Sequence, residues 1–238
     1  MRSRIALILI ALPAIAMPIG LGVWQLHRRE WKTSLLTRFE AGLSSPAAPY
    51  QPPQTGSAKA REFMRVRVKG ELLEAGTARL MTAAPDAARV QSGEDFGYVL
   101  FTPLKFAGGA VFVNRGFVPL SLAASPELFP KGETEVTGIV RIPEKPGWMT
   151  PAADFAKRLF FAADIPAMAA AAGLEGAKVI EGEYIQAEPS PGGPEWPRPL
   201  DPKKLLAAIP NDHLEYAITW FCLAAGAAGV FGLLIVRA

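Results

Sequence analysis

The chain holds only two histidines, and each stands at the end of a long apolar run. His27 follows residues 5–26, a 22-residue stretch without charge, and His213 precedes residues 216–236, a second stretch of 21. If the two runs form antiparallel helices, both imidazoles lie near one surface of the layer that those helices cross. On a helix His213, Tyr216, Ala217 and Trp220 fall at i, i+3, i+4 and i+7, which is one face. A neutral imidazole above an aromatic face at such a boundary suits a flat, apolar, metal-bearing ligand. Haem fits that description, because His is a common axial ligand to its iron. The same four residues also describe an interfacial histidine among the belt aromatics of an ordinary membrane helix. The residues by themselves leave both readings open.

Most other chemistries fail on counts. A single Cys, Cys222, forms no intramolecular disulfide and excludes CxxC redox chemistry, c-type haem attachment and any Cys-based metal cage. With two histidines, a three-His zinc site is one ligand short. Copper delivery is disfavoured because Cu(I) prefers several Cys or Met ligands, and Cys222 lies inside an apolar run. There is no GxSxG, Walker A, HExxH or Rossmann GxGxxG pattern. Gly192-Gly193-Pro194 sits in a Pro-rich loop and cannot cradle phosphate at a helix start. No nucleophile and base can be assembled, so the chain is not expected to be an enzyme. Glu94 and Asp95 are adjacent, point to opposite faces on extended backbone and read as a solvated loop. Arg61, Arg65, Arg67 and Lys69 read as a basic stripe on one strand face, solvated or else facing lipid head groups or propionates.

These residues must be positioned by the elements around them. Each apolar run spans roughly 30 Å as a helix, the thickness of a bilayer core. Arg2, Arg4 and the Ala14-Ile15-Ala16 triplet also resemble a signal peptide, but an h-region is only ~7–15 residues. The first run continues to Trp24, an interfacial anchor, so an uncleaved span is expected. The expected layout is cytoplasmic residues 1–4, a first span at 5–26, an extracytoplasmic domain at 27–215, a second span at 216–236 and cytoplasmic residues 237–238. All 22 acidic residues and all but three of the 25 basic ones lie in 27–215. The domain is therefore neutral and gives no argument for nucleic acid, and a long neutral domain can cross a membrane. In the second run Ala224, Ala228 and Gly232 recur every four residues beside Ala225 and Gly229. That face reads as packing against the first run, where Ala16 and Gly20 share the spacing, with homodimerisation as the alternative.

Between the runs, alternation or β-branched and aromatic richness predicts strands at 63–70, 96–106, 111–118, 133–142 and 178–187, with shorter ones near 78–82 and 158–162. Helices are predicted at 30–43, continuing the first span, and at 165–172 with Asp164 as N-cap and Gly173 as stop. Loops 44–60 and 188–210 are long, and the second holds seven prolines. It reads as a stiff spacer or a semi-rigid arm over the membrane surface. The fold class is a membrane protein in which two transmembrane α-helices flank a mostly antiparallel β (α+β) extracytoplasmic domain, a sheet or small open barrel.

Three segments then carry a resemblance. Residues 21–32, with Gly22, Trp24, Gln25, Arg28, Trp31 and Lys32, resemble the start of Surfeit locus protein 1 family members. Residues 111–119, with Val113-Asn114-Arg115-Gly116, look like that family's central motif. Residues 211–221 are similar to its His-Leu-x-Tyr-x-x-Thr-Trp segment, and order, spacing and the two-run layout agree. Residues 157–168 depart from it, keeping aromatic character only as Phe160 and Phe161. His27 stands where relatives often carry Gln, so it inherits no ligand role.

The resemblance implies a cytochrome c oxidase assembly factor, a haem chaperone that binds haem a transiently and aids its insertion into oxidase subunit I. It implies His213 as axial ligand to the haem iron, Trp220 as a ring wall and Tyr216 as a packing or hydrogen-bonding neighbour. Arg28 and Arg115 would pair with propionates, with a structural turn role as the alternative for Arg115. Expected partners are oxidase subunit I, haem a synthase and membrane lipid, with no nucleic acid. Because the apolar run begins by Ile5, no transit peptide is expected. The expected location is the bacterial inner (cytoplasmic) membrane, multi-pass, with the soluble domain in the periplasm. The competing reading is a scaffold that stabilises an early oxidase intermediate without carrying haem.

Overall fold

The computed structural model describes residues 2–53, 58–85, 92–123, 132–190, 192, 194–199, 201, 204 and 210–237. The chain divides into two compact units, residues 40–205 and residues 1–39 with 206–238. Among the described residues the α-helices with defined bounds are α1 (Arg2–Ser44), α2 (Ala58–Arg61), α3 (Ile165–Ala171) and α4 (His213–Arg237). The strands are β1 (Ala48–Pro49), β2 (Arg65–Leu72), β3 (Ala78–Ala83), β4 (Phe96–Phe106), β5 (Gly109–Pro119), β6 (Glu133–Arg141), β7 (Leu159–Phe160) and β8 (Val179–Ala187).

Residues 40–205 hold all eight strands. They run in the order β1-β2-β6-β8-β5-β4-β3-β7, and β2 pairs again with β4 through Glu71↔Lys105 and Leu72↔Leu104. That second pairing closes β2-β6-β8-β5-β4 into a ring. The open sheet or open barrel expected from the sequence is thus corrected to a closed barrel. Gly70 makes the closure feasible, because a Cβ there would lie 2.1 Å from the Lys105 carbonyl oxygen. Pairing is mostly antiparallel, with β5–β8, β1–β2 and β3–β7 parallel.

The alternation in β2 turns Val66 and Val68 inward and leaves Arg67 and Lys69 exposed. The strand begins two residues later than its pattern, because Phe63 adopts φ 72°, a left-handed conformation that no strand continues through. Val66, Val68, Leu104, Val111, Val113, Val140 and Ile185 fill the barrel. On the outer face, α3 seats Ile165, Met168 and Ala169 on Val99, Phe101, Phe112 and Phe160. Full burial of each phenylalanine contributes roughly 1.5–3 kcal/mol. Asp164 caps α3 as expected, its carboxylate accepting from Ala167 N at 3.1 Å.

Three loop readings change. Arg61 is not part of a solvated stripe. It lies on α2 and binds the fully buried Glu183 through Nε at 3.0 Å and Nη2 at 3.0 Å, while Tyr50 donates its hydroxyl to the same carboxylate at 2.8 Å. Glu94 is not an idle loop carboxylate, because it accepts from Leu120 N at 2.8 Å and from the Ser121 hydroxyl. Those donors hold its carboxyl below the usual range, the Ser121 bond foremost. The Pro-rich segment is not simply a spacer. Phe117 and Arg198 exchange backbone hydrogen bonds at 2.9 and 2.8 Å, and Trp196 meets Phe117 edge-on at 6.2 Å. Gly116, at φ 106°, permits this docking, since a Cβ there would lie 2.1 Å from the Arg198 carbonyl oxygen.

Helix α1, whose residues up to 39 belong to the other unit, is continuous for 43 residues, so the predicted helix at 30–43 is the outer part of one long helix. At 1.5 Å per residue it runs roughly 65 Å, about twice a bilayer core. Both α1 and α4 are long and apolar enough to cross a membrane, and most of their large apolar side chains, such as Leu9, Met17, Leu223 and Leu233, are exposed. The small-residue face is corrected in register. Ala217 and Ala224 are the buried pair on α4, whereas Ala228 and Gly232 are exposed and a Cβ added to Gly20 on α1 would meet nothing within 4 Å. The reason is Phe221: a Cβ on Gly22 would lie 2.6 Å from its ring, so the ring lies over Gly22 and the seam follows residues 217, 221 and 224.

Candidate functional site

The helical unit gathers its polar contacts at one end. Lys32 donates to the Pro210 carbonyl, and Asn211 donates its amide to the Thr33 hydroxyl at 3.3 Å. A turn further in, His213 Nδ1 lies 2.7 Å from Gln25 Oε1. These three contacts join the outer part of α1 to the start of α4 and fix where the imidazole sits. Thr219 donates its hydroxyl back to the Glu215 carbonyl at 2.9 Å.

His213, Ala217 and Trp220 share the side of α4 nearest α1. Ala217 is fully buried, and His213 and Trp220 are half-buried. Tyr216, expected on that face, is 58% exposed and lies on its outer flank. The ring's Nε2 makes no hydrogen bond among the described residues. A half-exposed imidazole with one nitrogen held and the other open has the donor chemistry of an axial haem ligand, and the indole one helical turn beyond Tyr216 supplies an apolar flank. The residues present therefore fit such a group. No set of three or more His, Cys, Asp or Glu among the described residues is placed to hold a bare metal ion.

Arg28 is exposed on α1 with its guanidinium 4.0 Å over the Trp31 ring, a cation–π contact that leaves its hydrogen-bonding edge accessible. His27 is exposed and hydrogen-bonds to none of the described residues.

Arg115 belongs to the barrel unit. Strand alternation sends neighbouring motif residues to opposite faces of β5. Asn114 lines an outer cavity of about 450 Å³ with Arg141, Tyr184 and Phe161. Arg115 lines a larger cavity of about 990 Å³ with Val113, Arg65, Glu188 and Arg198. Arg65 is fixed there by a two-pronged contact with Glu188, Nε at 3.0 Å and Nη2 at 2.8 Å. Burial pushes the Arg115 guanidinium down to about 10, so it stays charged at neutral pH. Asn114 accepts from Gly116 N at 3.0 Å and holds the turn of the chain at that glycine. The central motif thus has a structural component in Asn114 and Gly116, and Arg115, next to that glycine, also lines the larger cavity.

Two positions that the fold provides with partners escaped the sequence reading, one at the candidate site and one in the barrel. Gln25 was visible as a lone amide at the end of an apolar run, but only the fold shows what it meets. Glu183 carried no signal. Three extra residues bulge from β8 where Val111↔Ile180 gives way to Val113↔Ile185, and this resets the parity that would mark an inward side chain.

Comparison with known proteins places these features in a wider set. A profile described as SURF1 family matches residues 12–225. The chain is 30% identical to Surfeit locus protein 1 of Rattus norvegicus over 243 residues, covering 96% of this chain and 75% of that protein. It is 28% identical to Surfeit locus protein 1 of Arabidopsis thaliana, covering 94% and 75%. It is 29% identical to a SURF1-like protein of Drosophila melanogaster, covering 93% and 75%.

Proposed function

The chain belongs to the SURF1 family, and from that premise we propose that it is an assembly factor for haem-copper (cytochrome c) oxidase that holds haem a transiently and aids its insertion into subunit I. The observation that carries the reading is the His213 imidazole, held at Nδ1 by Gln25 and open at Nε2, with Trp220 on the same side of α4. When bound, the haem would supply the iron that His213 ligates. Trp220 excludes water from one side of the ring, Tyr216 extends the aromatic flank, and Arg28 offers charged donors to propionates. For Arg115 the propionate role rests on the family resemblance of residues 111–119.

The exposed apolar surfaces of α1 and α4 support membrane insertion, because side chains such as Leu12 and Leu233 are mostly exposed. The reading places the chain as a two-span protein of the bacterial inner membrane with the barrel in the periplasm, in contact with lipid, subunit I and haem a synthase. It assigns no catalytic step.

The test is to purify the chain from cells that make haem a and record its visible spectrum beside His213→Ala. Soret and α bands near stoichiometric with protein, lost or shifted in the variant, are expected. A folded, haem-free wild type would instead favour a scaffold that stabilises an early oxidase intermediate by protein contacts alone.

A further inference from the structure

Gln25 is the one strongly polar side chain in the uncharged run of α1. An amide at the edge of an apolar layer is unfavourable unless it is hydrogen-bonded. Its Oε1 meets His213 Nδ1 at 2.7 Å. An amide oxygen only accepts, so the ring must donate from Nδ1, and the lone pair is then on Nε2. Free imidazole side chains favour the other tautomer, with hydrogen on Nε2, in which the outward nitrogen is unable to ligate a metal. Packing holds the amide in reach: Gly22, one turn earlier on α1, accommodates the Phe221 ring, and Lys32 and Thr33 engage residues 210 and 211 on the other side.

We infer that Gln25 is a positioning residue, locking His213 in the Nδ1–H tautomer and presenting Nε2 outward as the metal-binding atom. The inference rests on the haem-carrying reading for its purpose, though not for its geometry. The choice of partner also sets the strength of the ligand. A carboxylate behind a ligating histidine raises its basicity, and such outer partners alter metal affinity by ~10–100-fold. A neutral amide orients the ring without that gain. Such a ligand is suited to a group that must be passed on.

Because the chain has two histidines, a His27→Gln background leaves one imidazole to observe. Long-range proton–nitrogen spectra of the haem-free full chain in detergent, at a pH where the ring is neutral, read the tautomer directly. The expected result is Nδ1–H in the His27→Gln chain, a shift toward Nε2–H on adding Gln25→Leu, and retention of Nδ1–H with Gln25→Glu. Haem titration of the same proteins should show binding weakened ~10–100-fold by Gln25→Leu and strengthened by Gln25→Glu. An Nε2–H ring in the parent, which the opposite amide orientation would produce, overturns the inference. So does a tautomer indifferent to Gln25→Leu, or equal haem affinity of that variant and its parent. If no protein takes up haem while the tautomer responds as expected, the carrier reading fails and the Gln25–His213 lock stands.

Discussion

The two units each contain a polar side chain held by partners across the fold, and they treat it in opposite ways. In the barrel, Glu183 is fully buried and both its oxygens are engaged: the Arg61 guanidinium binds the two and Tyr50 donates to one of them. In the helical pair, His213 is half-buried and, among the described residues, has a single hydrogen-bond partner at one nitrogen. A closed network of this kind ties segments together, here residue 50, α2 and β8. An open one leaves valence for something outside the chain. The difference separates a structural cluster from a site, even though the structural cluster has the more perturbed chemistry. Burial and the Glu183 charge push the Tyr50 phenol well above its usual value, yet its hydroxyl is already committed to Glu183.

Breaking the closed network should have the largest effect on stability. Glu183→Ala leaves the Arg61 guanidinium without its carboxylate, and unfolding of the barrel should become easier by ~3–5 kcal/mol. Thermal unfolding followed by near-ultraviolet circular dichroism reads this, and a loss under about 1 kcal/mol would mean the cluster is not structural. Gly70→Ala should follow, at roughly 1–3 kcal/mol, because the added methyl meets the Lys105 carbonyl where β2 closes on β4. Hydrogen exchange at 71–72 and 104–105 should rise ahead of the rest of the barrel; uniform protection would refute the closure argument.

Tyr50 gives a pH signature. Its folded pKa lies above the unfolded value near 10. The stabilisation is therefore complete below about pH 10 and lost as pH rises, because only the unfolded chain ionises readily. Phenolate absorbance should show two of the four tyrosines ionising late, Tyr184, which burial also pushes up, and Tyr50, which appears only as the barrel unfolds in alkali. In the helical unit, Gly22→Val should press on the Phe221 ring. It should weaken haem retention several-fold while leaving barrel unfolding unchanged; a destabilised barrel would show that the effect is not local. The smallest effect belongs to Lys69→Met. Its ion pair with Glu133, at 3.0 Å, is solvent-exposed on both sides, and no measurable shift in the melting temperature is expected.

Much of the architecture is legible from local pattern. The alternation of 65–72 and the β-branched content of 96–106 and 109–119 give strands because burial on one or both faces imposes that pattern. Asp164 announces α3 because a cap is a local device. What is illegible is non-local. Ring closure depends on Gly70 meeting Lys105, 35 positions away, and nothing near Gly70 signals it. The inward turn of Glu183 is hidden by the β8 bulge. At the site, the helical spacing of His213, Ala217 and Trp220 is readable, but Tyr216 falls outside the seam because Phe221 over Gly22 sets the rotation of α4. Gln25 is invisible as a partner, since 188 positions separate it from His213.

The most direct test of the account is an equilibrium titration of the haem-free full chain with haem, followed at the Soret band, for wild type, His213→Ala and Glu183→Gln. Saturable binding by wild type, abolished in His213→Ala with unchanged barrel unfolding and retained in Glu183→Gln at temperatures where that variant stays folded, is the predicted result. Equal binding by wild type and His213→Ala, or no saturable binding by the folded wild type, would contradict it.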